Sequence, residues 1–299
     1  MKSDIHALCF TPDEKIGFAV GAEGIVLATR DAGDGWQRLA AIPGVVLFGV
    51  DFPKDDVTGY ACGSGGAIFR TDDGGKNWRR LDSGITSDLF AVVFPSSEQI
   101  GFASGADGTV LATTDGGTAW DRCRTGTSAR LVALNFPIDH VSGYAAGQQS
   151  AVLKTSDGGL RWFGQTEHVR ALPLFDIQAI QFPDDDVTGY AAGDRGTVLR
   201  TRDAGESWEV FESPARVRLN SIRLRHDIPT GIAVGDKGTI IRTLSCCEDW
   251  QVMYSGTRDD LFCVRLAGDG LTGHCCGAGG LILRTTDGGQ TWFRRPVTE

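Results

Sequence analysis

The chain has 299 residues, including 41 glycines and 10 prolines, and a formal net charge of −9 at pH 7. An acidic balance without aromatic residues among the arginines argues against a nucleic acid-binding protein. No stretch approaches the roughly 18 consecutive apolar residues of a membrane helix, so the sequence predicts no direct insertion into a bilayer.

The chain begins Met-Lys-Ser-Asp-Ile-His, and its first apolar run is only six residues long. A secretory signal has an apolar core of roughly 7 to 15 residues, which this segment lacks. We therefore expect a cytoplasmic protein from the sequence as written, and a periplasmic or lumenal one if the chain is a trimmed mature form.

Tryptophan recurs at a fixed spacing along the whole chain. The step is 42 residues except once, where it is 46, and the positions are Trp36, Trp78, Trp120, Trp162, Trp208, Trp250 and Trp292. A period of about 40 to 45 residues filled with short strand signals is typical of a β-propeller with one four-stranded blade per repeat. The sequence predicts an all-β, seven-bladed propeller with four antiparallel strands per blade and no helical domain.

Each repeat contains four strand signals in the same order. An apolar run is followed by a Gly-aromatic-Ala segment, then a Val-Leu-Arg-Thr type segment, then a turn and a last strand that starts at the tryptophan. The third residue of the apolar run is small in every repeat, as convergence of seven inner strands on an axis requires. We predict one domain over residues 1–299, with blades at approximately 1–45, 46–87, 88–129, 130–175, 176–217, 218–259 and 260–299.

The ends of the chain fit this arrangement. The first inner strand is expected to begin near Ile5, and the last outer strand to run from Trp292 to about Val297. All seven blades are then complete, so blade 7 is expected to pack against blade 1 without an exchange of strands.

The turn before each tryptophan carries a motif, Thr-x-Asp-Gly-Gly-x-x-Trp, as in residues 71–78. Its aspartate can accept hydrogen bonds from turn amides, and its glycines permit a positive φ. We interpret these aspartates as structural, without a catalytic role: Asp31, Asp73, Asp115, Asp157, Asp203 and Asp287. Ser245 replaces the aspartate in blade 6, so that turn is expected to be the least rigid.

The motif resembles the Asp-box, or BNR repeat, of sialidase-like propellers. The whole repeat, Gly-Tyr-Ala-x-Gly-x-x-Gly-x-Val/Ile-Leu-x-Thr-x-Asp-Gly-Gly-x-x-Trp, resembles the photosystem II stability/assembly factor family of Asp-box propellers in all seven copies. The resemblance implies a non-catalytic assembly factor that binds protein. Relatives occur in non-photosynthetic bacteria, so the resemblance does not imply a photosynthetic host. Family members are usually exported, and the sequence as written departs from that pattern.

A glycan-binding or glycoside-hydrolase-like (sialidase-type) propeller is the alternative. A sialidase-type site needs a tyrosine nucleophile with a glutamate base, yet Tyr60, Tyr144 and Tyr190 occupy one repeated strand position, and only Tyr254 is unique. Most other glycosidases need two carboxylates facing a cleft, whereas the acidic residues here lie mainly in repeated turns. We predict no enzyme activity, no cofactor and no metal site.

The loops of a propeller open alternately on its two faces, and here they differ in charge. The loops after the second and fourth strands, together with an insertion of four residues between Trp162 and Gly189, hold the predicted partner-binding residues: Arg130, Arg170, Leu172, Arg195, Arg216, Arg218 and Arg258. Such a face can steer an acidic protein segment or a larger protein complex toward the axis. Ordinary solvated loop charge is the alternative, because Asp88, Asp176 and Asp260 lie nearby. We expect a monomer outside its complex.

Arg223 and Arg265 occupy an inner-strand position that varies between blades and holds Asp51 in blade 2. The variation predicts that these side chains line the central channel. They are expected either to pair with Asp51 or to contact a ligand.

The eight cysteines show no metal-type spacing, and most occupy positions where sister repeats carry small residues. We interpret most of them as reduced core fillers, although the sequence does not determine the redox state of the adjacent pairs Cys246-Cys247 and Cys275-Cys276. Because Cys246 and Cys247 replace the Gly-Gly turn of blade 6, we expect both near the surface.

Overall fold

A computed structural model describes residues 3–165, 175–183, 185–211, 213–225, 228–245 and 247–298. It has seven sheets around a central axis, each built on four consecutive antiparallel strands, and the first sheet has a fifth, C-terminal strand. In the described ranges the helical elements are turns of three residues. The predicted fold class, a seven-bladed all-β propeller, is confirmed.

The strands are numbered in chain order, four to a blade. Blades 1 to 4 contain β1 (Ile5–Phe10), β2 (Gly17–Gly21), β3 (Ile25–Thr29), β4 (Trp36–Ala41); β5 (Leu47–Asp51), β6 (Gly59–Gly63), β7 (Ala67–Thr71), β8 (Arg79–Leu81); β9 (Leu89–Val93), β10 (Gly101–Gly105), β11 (Val110–Thr113), β12 (Asp121–Arg122); β13 (Leu131–Asn135), β14 (Gly143–Gly147), β15 (Val152–Thr155) and β16 (Phe163–Gly164). Blades 5 to 7 contain β17 (Ile177–Gln181), β18 (Gly189–Gly193), β19 (Val198–Thr201), β20 (Glu209–Phe211); β21 (Leu219–Leu224), β22 (Gly231–Gly235), β23 (Thr239–Thr243), β24 (Trp250–Met253); β25 (Leu261–Leu266), β26 (Gly273–Gly277), β27 (Leu281–Thr285) and β28 (Phe293–Arg294). The last strand is β29 (Val297–Thr298).

Aromatic rings join neighbouring blades. Tyr60 of blade 2 stacks on Phe94 of blade 3 at a centroid distance of 3.6 Å, and the edge of Phe94 meets Trp120 at 6.1 Å. The same stack joins Phe18 to Phe52, Phe102 to Phe136, and Tyr144 to Phe182. Burial of large rings is the main source of stabilisation in such a seam. The repeated tryptophans therefore cover the contact between blades as well as their own hairpin.

The ring closes without an exchange of strands, as predicted, but the last outer strand ends earlier than the predicted Val297. The outer strand β28 ends at Arg294, and β29 pairs in parallel with β4 of blade 1. The Trp36 amide also donates to the carbonyl oxygen of Pro296 at 3.0 Å. The Trp162 amide makes the equivalent bond to Arg124 of the preceding blade at 3.1 Å. The C-terminal pairing is thus an ordinary contact between neighbouring blades, which the end of blade 7 makes with blade 1.

Candidate functional site

One face of the propeller collects the features that suit binding. We call it the start face, because the inner strand of every blade begins there. It carries the loops before the inner strands and the turns between the second and third strands. In all seven blades the pairing of the inner strand slips by one residue at its second position. Such a β-bulge re-aims the extra side chain, here into the channel mouth.

Four of the bulged residues form a continuous aromatic row, which we call the axial arc: Phe262, His6, Phe48 and Phe90. Successive ring centroids are 5.6, 5.5 and 5.3 Å apart across blades 7, 1, 2 and 3. The guanidinium of Arg130 in blade 4 lies 3.9 Å from the Phe90 ring centroid and extends the row. His6 Nδ1 donates to the carbonyl oxygen of Leu47 at 2.9 Å, which fixes the orientation of its ring. All four rings remain partly exposed.

The opposite side of the mouth is polar. Its bulged residues include Gln178 and Asn220, and the Asn220 amide donates to Asp236 and to the carbonyl oxygen of Leu261, both at 2.9 Å. A ligand at the mouth would therefore meet rings on one side and amides on the other.

The aspartates that precede four inner strands have a structural role. Asp88 accepts a hydrogen bond from the Gly65 amide at 2.8 Å, in the turn of the preceding blade. Asp4, Asp176 and Asp260 make the equivalent bond to Gly279, Gln149 and Lys237 at 2.8–3.0 Å. Asp88, Asp176 and Asp260 are therefore turn-bonding residues as well as negative charges beside the basic loops.

Five of the six predicted partner-binding arginines lie among the described residues of the start face, and these five are exposed. Arg130 contacts the axial arc, and Arg218 lies 3.6 Å from Asp236. Arg216 donates to the carbonyl oxygen of Ser213 at 3.0 Å. Within the described residues, Arg195 and Arg258 have no ion pair. Arg170 and Leu172 lie outside the described residues.

The channel-lining residues Arg223 and Arg265 both face the central channel. Arg265 donates from Nε to the carbonyl oxygen of Leu8 at 3.0 Å, and Arg223 donates to that of Ile222 at 2.8 Å. Asp51 accepts from the Phe94 amide at 2.7 Å, and burial raises its pKa. Burial and the charge of Arg265 lower the pKa of Arg223 to about 9. No ion pair within 4.0 Å joins Asp51 to either arginine in the described part of the chain.

The Asp-box turns follow one hydrogen-bonding scheme. In blade 2, Thr71 donates to Asp73 at 2.9 Å, the same carboxylate accepts from the Asn77 amide at 2.9 Å, and the Gly75 amide donates to the Thr71 hydroxyl at 3.0 Å. The bond from the Asn77 amide is the largest cause of a lowered pKa at Asp73. The carboxylates Asp31, Asp115, Asp157, Asp203 and Asp287 accept the corresponding bonds from their own turns. These carboxylates therefore have a structural role in their turns.

Cys247 is fully buried, so its predicted position near the surface was wrong. It replaces the second glycine of the turn, with φ +80°, and its side chain packs in one cluster with Tyr190 and Trp250. The equivalent Gly75 already faces Phe18 of the preceding blade, so a side chain at this position points into the seam. Cys246 lies outside the described residues.

The tyrosines also have structural roles. The hydroxyl of Tyr60 donates to the carbonyl oxygen of Glu98 at 2.8 Å, and that of Tyr144 to Asp186 at 2.8 Å. Burial raises the pKa of Tyr60 to about 12, which disfavours the phenolate that a nucleophile needs. Tyr254 is 85% exposed on the outer rim.

The repeated turns and the blade count define an Asp-box propeller. The family model of the photosynthesis system II assembly factor YCF48 matches residues 1–83, 44–128, 77–163 and 116–220. These matches together span well over half of the chain. The chain therefore belongs to the YCF48 family, as its repeat predicted.

Three solved structures show the same fold. YCF48 from Cyanidioschyzon merolae is 19% identical, with a TM-score of 0.78 over 95% of this chain and 96% of that one. A YCF48 bound to D1 peptide is 17% identical, with a TM-score of 0.77 over 95% and 92%. The GH74 xyloglucanase from Xanthomonas campestris is 12% identical, with a TM-score of 0.77 over 97% of this chain and 52% of that one. No curated protein sequence matches the chain.

Among the residues that the structure describes, no helix is long and apolar enough to cross a bilayer.

Proposed function

We propose that this chain is a non-catalytic assembly propeller that binds an acidic, partly apolar protein segment at the channel mouth of the start face. The observation that carries the proposal is the axial arc with Arg130 stacked at its end. Membership of an assembly-factor family and a similar propeller solved with a bound peptide support it.

The axial arc favours a protein ligand because of its chemistry. Neighbouring aromatic rings that remain in contact with water mark interaction sites, and aromatic and arginine side chains dominate the energy of protein interfaces. In this fold the rings are held by β-bulges on rigid inner strands, so their side chains lose little conformational entropy on binding. A segment with an apolar side chain would cover Phe48 and Phe90.

The arginines around the mouth offer ion pairs to an acidic ligand. Four aspartates of this face accept hydrogen bonds from turn amides. In contrast, Arg130, Arg195 and Arg258 have no acidic partner among the described residues. We assign partner contacts to these three together with Arg216 and Arg218. The insertion with Arg170 and Leu172 belongs to the same loop set by its place in the repeat.

A non-catalytic role is favoured because the carboxylates and tyrosine hydroxyls that could act in catalysis are hydrogen-bonded within the fold. The Asp-box carboxylates are bonded to their own turns, and Tyr60 and Tyr144 are bonded within the seams. Retaining and inverting glycosidases need a pair of free carboxylates about 5 to 9.5 Å apart across a cleft. The channel instead presents Asp51 bonded to a backbone amide.

The proposal is tested by affinity purification of the tagged chain from its native host, followed by mass spectrometry. Wild type is compared with a variant in which Arg130, Arg195, Arg216 and Arg258 are changed to Glu. A matched control carries Arg38→Glu and Arg294→Glu, two exposed arginines of the outer strands. Recovery of a specific complex by wild type and control but not by the start-face variant supports the proposal.

Equal recovery by both variants would contradict docking on the start face. If wild type captures no partner and the purified chain binds or cleaves glycosides, the glycan-directed alternative replaces the proposal.

A further inference from the structure

Blade 7 holds two cysteines directly opposite each other in its innermost hairpin. Cys263 of β25 and Cys276 of β26 are paired in the antiparallel register. Paired residues of this kind have Cα atoms about 4.5 or 5.5 Å apart, and a disulfide needs about 4.4 to 6.8 Å. Because directly paired residues of neighbouring strands project to the same face of the sheet, the two side chains are neighbours. Both thiols are free.

The surroundings make the two thiols unequal. Cys263 is partly exposed and lines the channel with Arg223 and Arg265, whereas Cys276 is fully buried between blades 7 and 1. The adjacent Cys276 thiol and the charges of the two arginines lower the pKa of Cys263, and burial raises the pKa of Cys276. A thiolate beside cations and open to solvent is the reactive form of cysteine.

The fold itself does not require this pair. At the same two positions the other blades carry Ala7 with Val20, Gly49 with Cys62, Ala91 with Ser104, Ala133 with Ala146, Ala179 with Ala192, and Ser221 with Val234. No other blade has a cysteine at both positions, and five of the six fill the site with apolar or hydroxyl side chains alone.

We propose that Cys263 and Cys276 form a peroxide-sensitive dithiol facing the central channel. The Cys263 thiolate attacks one oxygen of a hydroperoxide, the O–O bond breaks, and hydroxide or alkoxide leaves, which gives a sulfenic acid on Cys263. The Cys276 thiol then attacks that sulfur. The S–O bond breaks, the thiol proton leaves with the hydroxyl as water, and a Cys263–Cys276 disulfide remains.

The two arginines act as positioning residues in this reaction. Their charges favour the thiolate over the thiol, and neither exchanges a proton or electron with the peroxide. Gln181 occupies the same inner-strand position in blade 5, so Arg223→Gln and Arg265→Gln copy a side chain that this position already accepts. The inference is independent of the proposed docking function.

The experiment treats the native chain with hydrogen peroxide, blocks free thiols in denaturant, and maps the peptides by mass spectrometry without reduction. Wild type is expected to yield the Cys263–Cys276 crosslinked peptide, reversible by dithiothreitol. Cys276→Ala is expected to stop at a sulfenic acid on Cys263 that a dimedone probe traps. Cys263→Ala is expected to leave Cys276 reduced. These two variants copy the alanines of blade 4.

Cys275→Ala is the matched control, because Cys275 neighbours Cys276 on β26 but packs in a different cluster. It should form the disulfide as wild type does, whereas Arg223→Gln with Arg265→Gln should slow the loss of the Cys263 thiol. The proposal is overturned if peroxide leaves Cys263 reduced, if the disulfide forms to Cys9 instead, or if the arginine variant reacts at the wild-type rate. Those outcomes would leave the pair as core fillers.

Discussion

The seam that closes the ring is predicted to be sensitive to acid because of one histidine. His274 occupies the second-strand position that holds Phe18 in blade 1 and Phe102 in blade 3. Its ring lies 4.5 Å from that of Phe10 in blade 1, and its Nε2 donates to the carbonyl oxygen of Ala32 at 3.1 Å. Burial lowers the pKa of His274 to about 4, with Arg284 and Arg295 lowering it further and Asp34 opposing them.

The sign and size of the effect follow from proton linkage. The unfolded imidazole has a pKa of 6.5, so the unfolded chain binds a proton that the folded chain does not. Stability is complete above pH 6.5 and decreases as the pH falls toward 4. At about 1.36 kcal/mol per pKa unit, the expected loss between about pH 7.5 and about pH 4.5 is about 2.5 kcal/mol.

The assay is equilibrium urea unfolding followed by tryptophan fluorescence at several pH values. The variant His274→Phe copies Phe18 and Phe102, retains a stacked ring and has no proton to bind. Its free energy of unfolding should fall by about 2.5 kcal/mol less than that of wild type over this pH range, because the other titrating groups, among them Cys263, contribute equally to both chains. An equal loss in the variant would show that the histidine is not the source and would refute the reasoning.

Three further predictions concern the turns. Asp73→Ala removes the carboxylate that accepts hydrogen bonds from Thr71 and Asn77, and it should lower the free energy of unfolding by about 2 kcal/mol. Asp73→Ser copies Ser245, whose hydroxyl still accepts a hydrogen bond from the Asp249 amide at 2.8 Å, and it should lower that free energy by about 1 kcal/mol. Urea midpoints will show whether the two variants differ. The pKa of Asp287 is lowered to about 2, so its contribution is present above about pH 4 and lost as the pH falls toward 2. Acid titration of Asp287→Asn should show a smaller loss there than wild type. Arg130→Asp places a carboxylate where Asp88 and Asp176 bond a turn amide, so it should change stability by less than about 1 kcal/mol while abolishing partner capture. A large fall in its melting temperature would contradict the turn-bonding role of this position.

The sequence predicted the blades well because the repeat samples one structural unit seven times. A residue that recurs in every copy, as the tryptophan does, or in six of the seven, as the Asp-box aspartate does, must serve the unit. The strand order, the four strands per blade and the turn hydrogen bonds all follow from that regularity.

The features that differ between blades were harder to predict. The axial arc depends on a β-bulge, which changes the direction of one side chain without any special residue at that position. The only signal was the second inner-strand residue, which is aromatic in Phe48, Phe90 and Phe262 although sister blades carry Gln178 and Asn220. Period-2 alternation assigns that residue to the wrong side, because a bulge interrupts the alternation.

Two other differences have equally local causes. Cys247 was predicted at the surface because turns usually are, but the second glycine of this turn faces the neighbouring blade. The pairing of β29 with β4 is a contact between neighbouring blades, like that of Trp162 with Arg124, and the pattern within a single repeat does not show which residues of the next blade it meets.

The most direct test of the docking account is site-specific photo-crosslinking in the native host. A photoreactive phenylalanine analogue replaces Phe48 of the axial arc in one variant, and exposed Phe163 of the outer strand β16 in another. The account predicts that a partner is crosslinked from position 48 and not from position 163. Equal crosslinking from both positions, or crosslinking only from position 163, would contradict binding at the channel mouth.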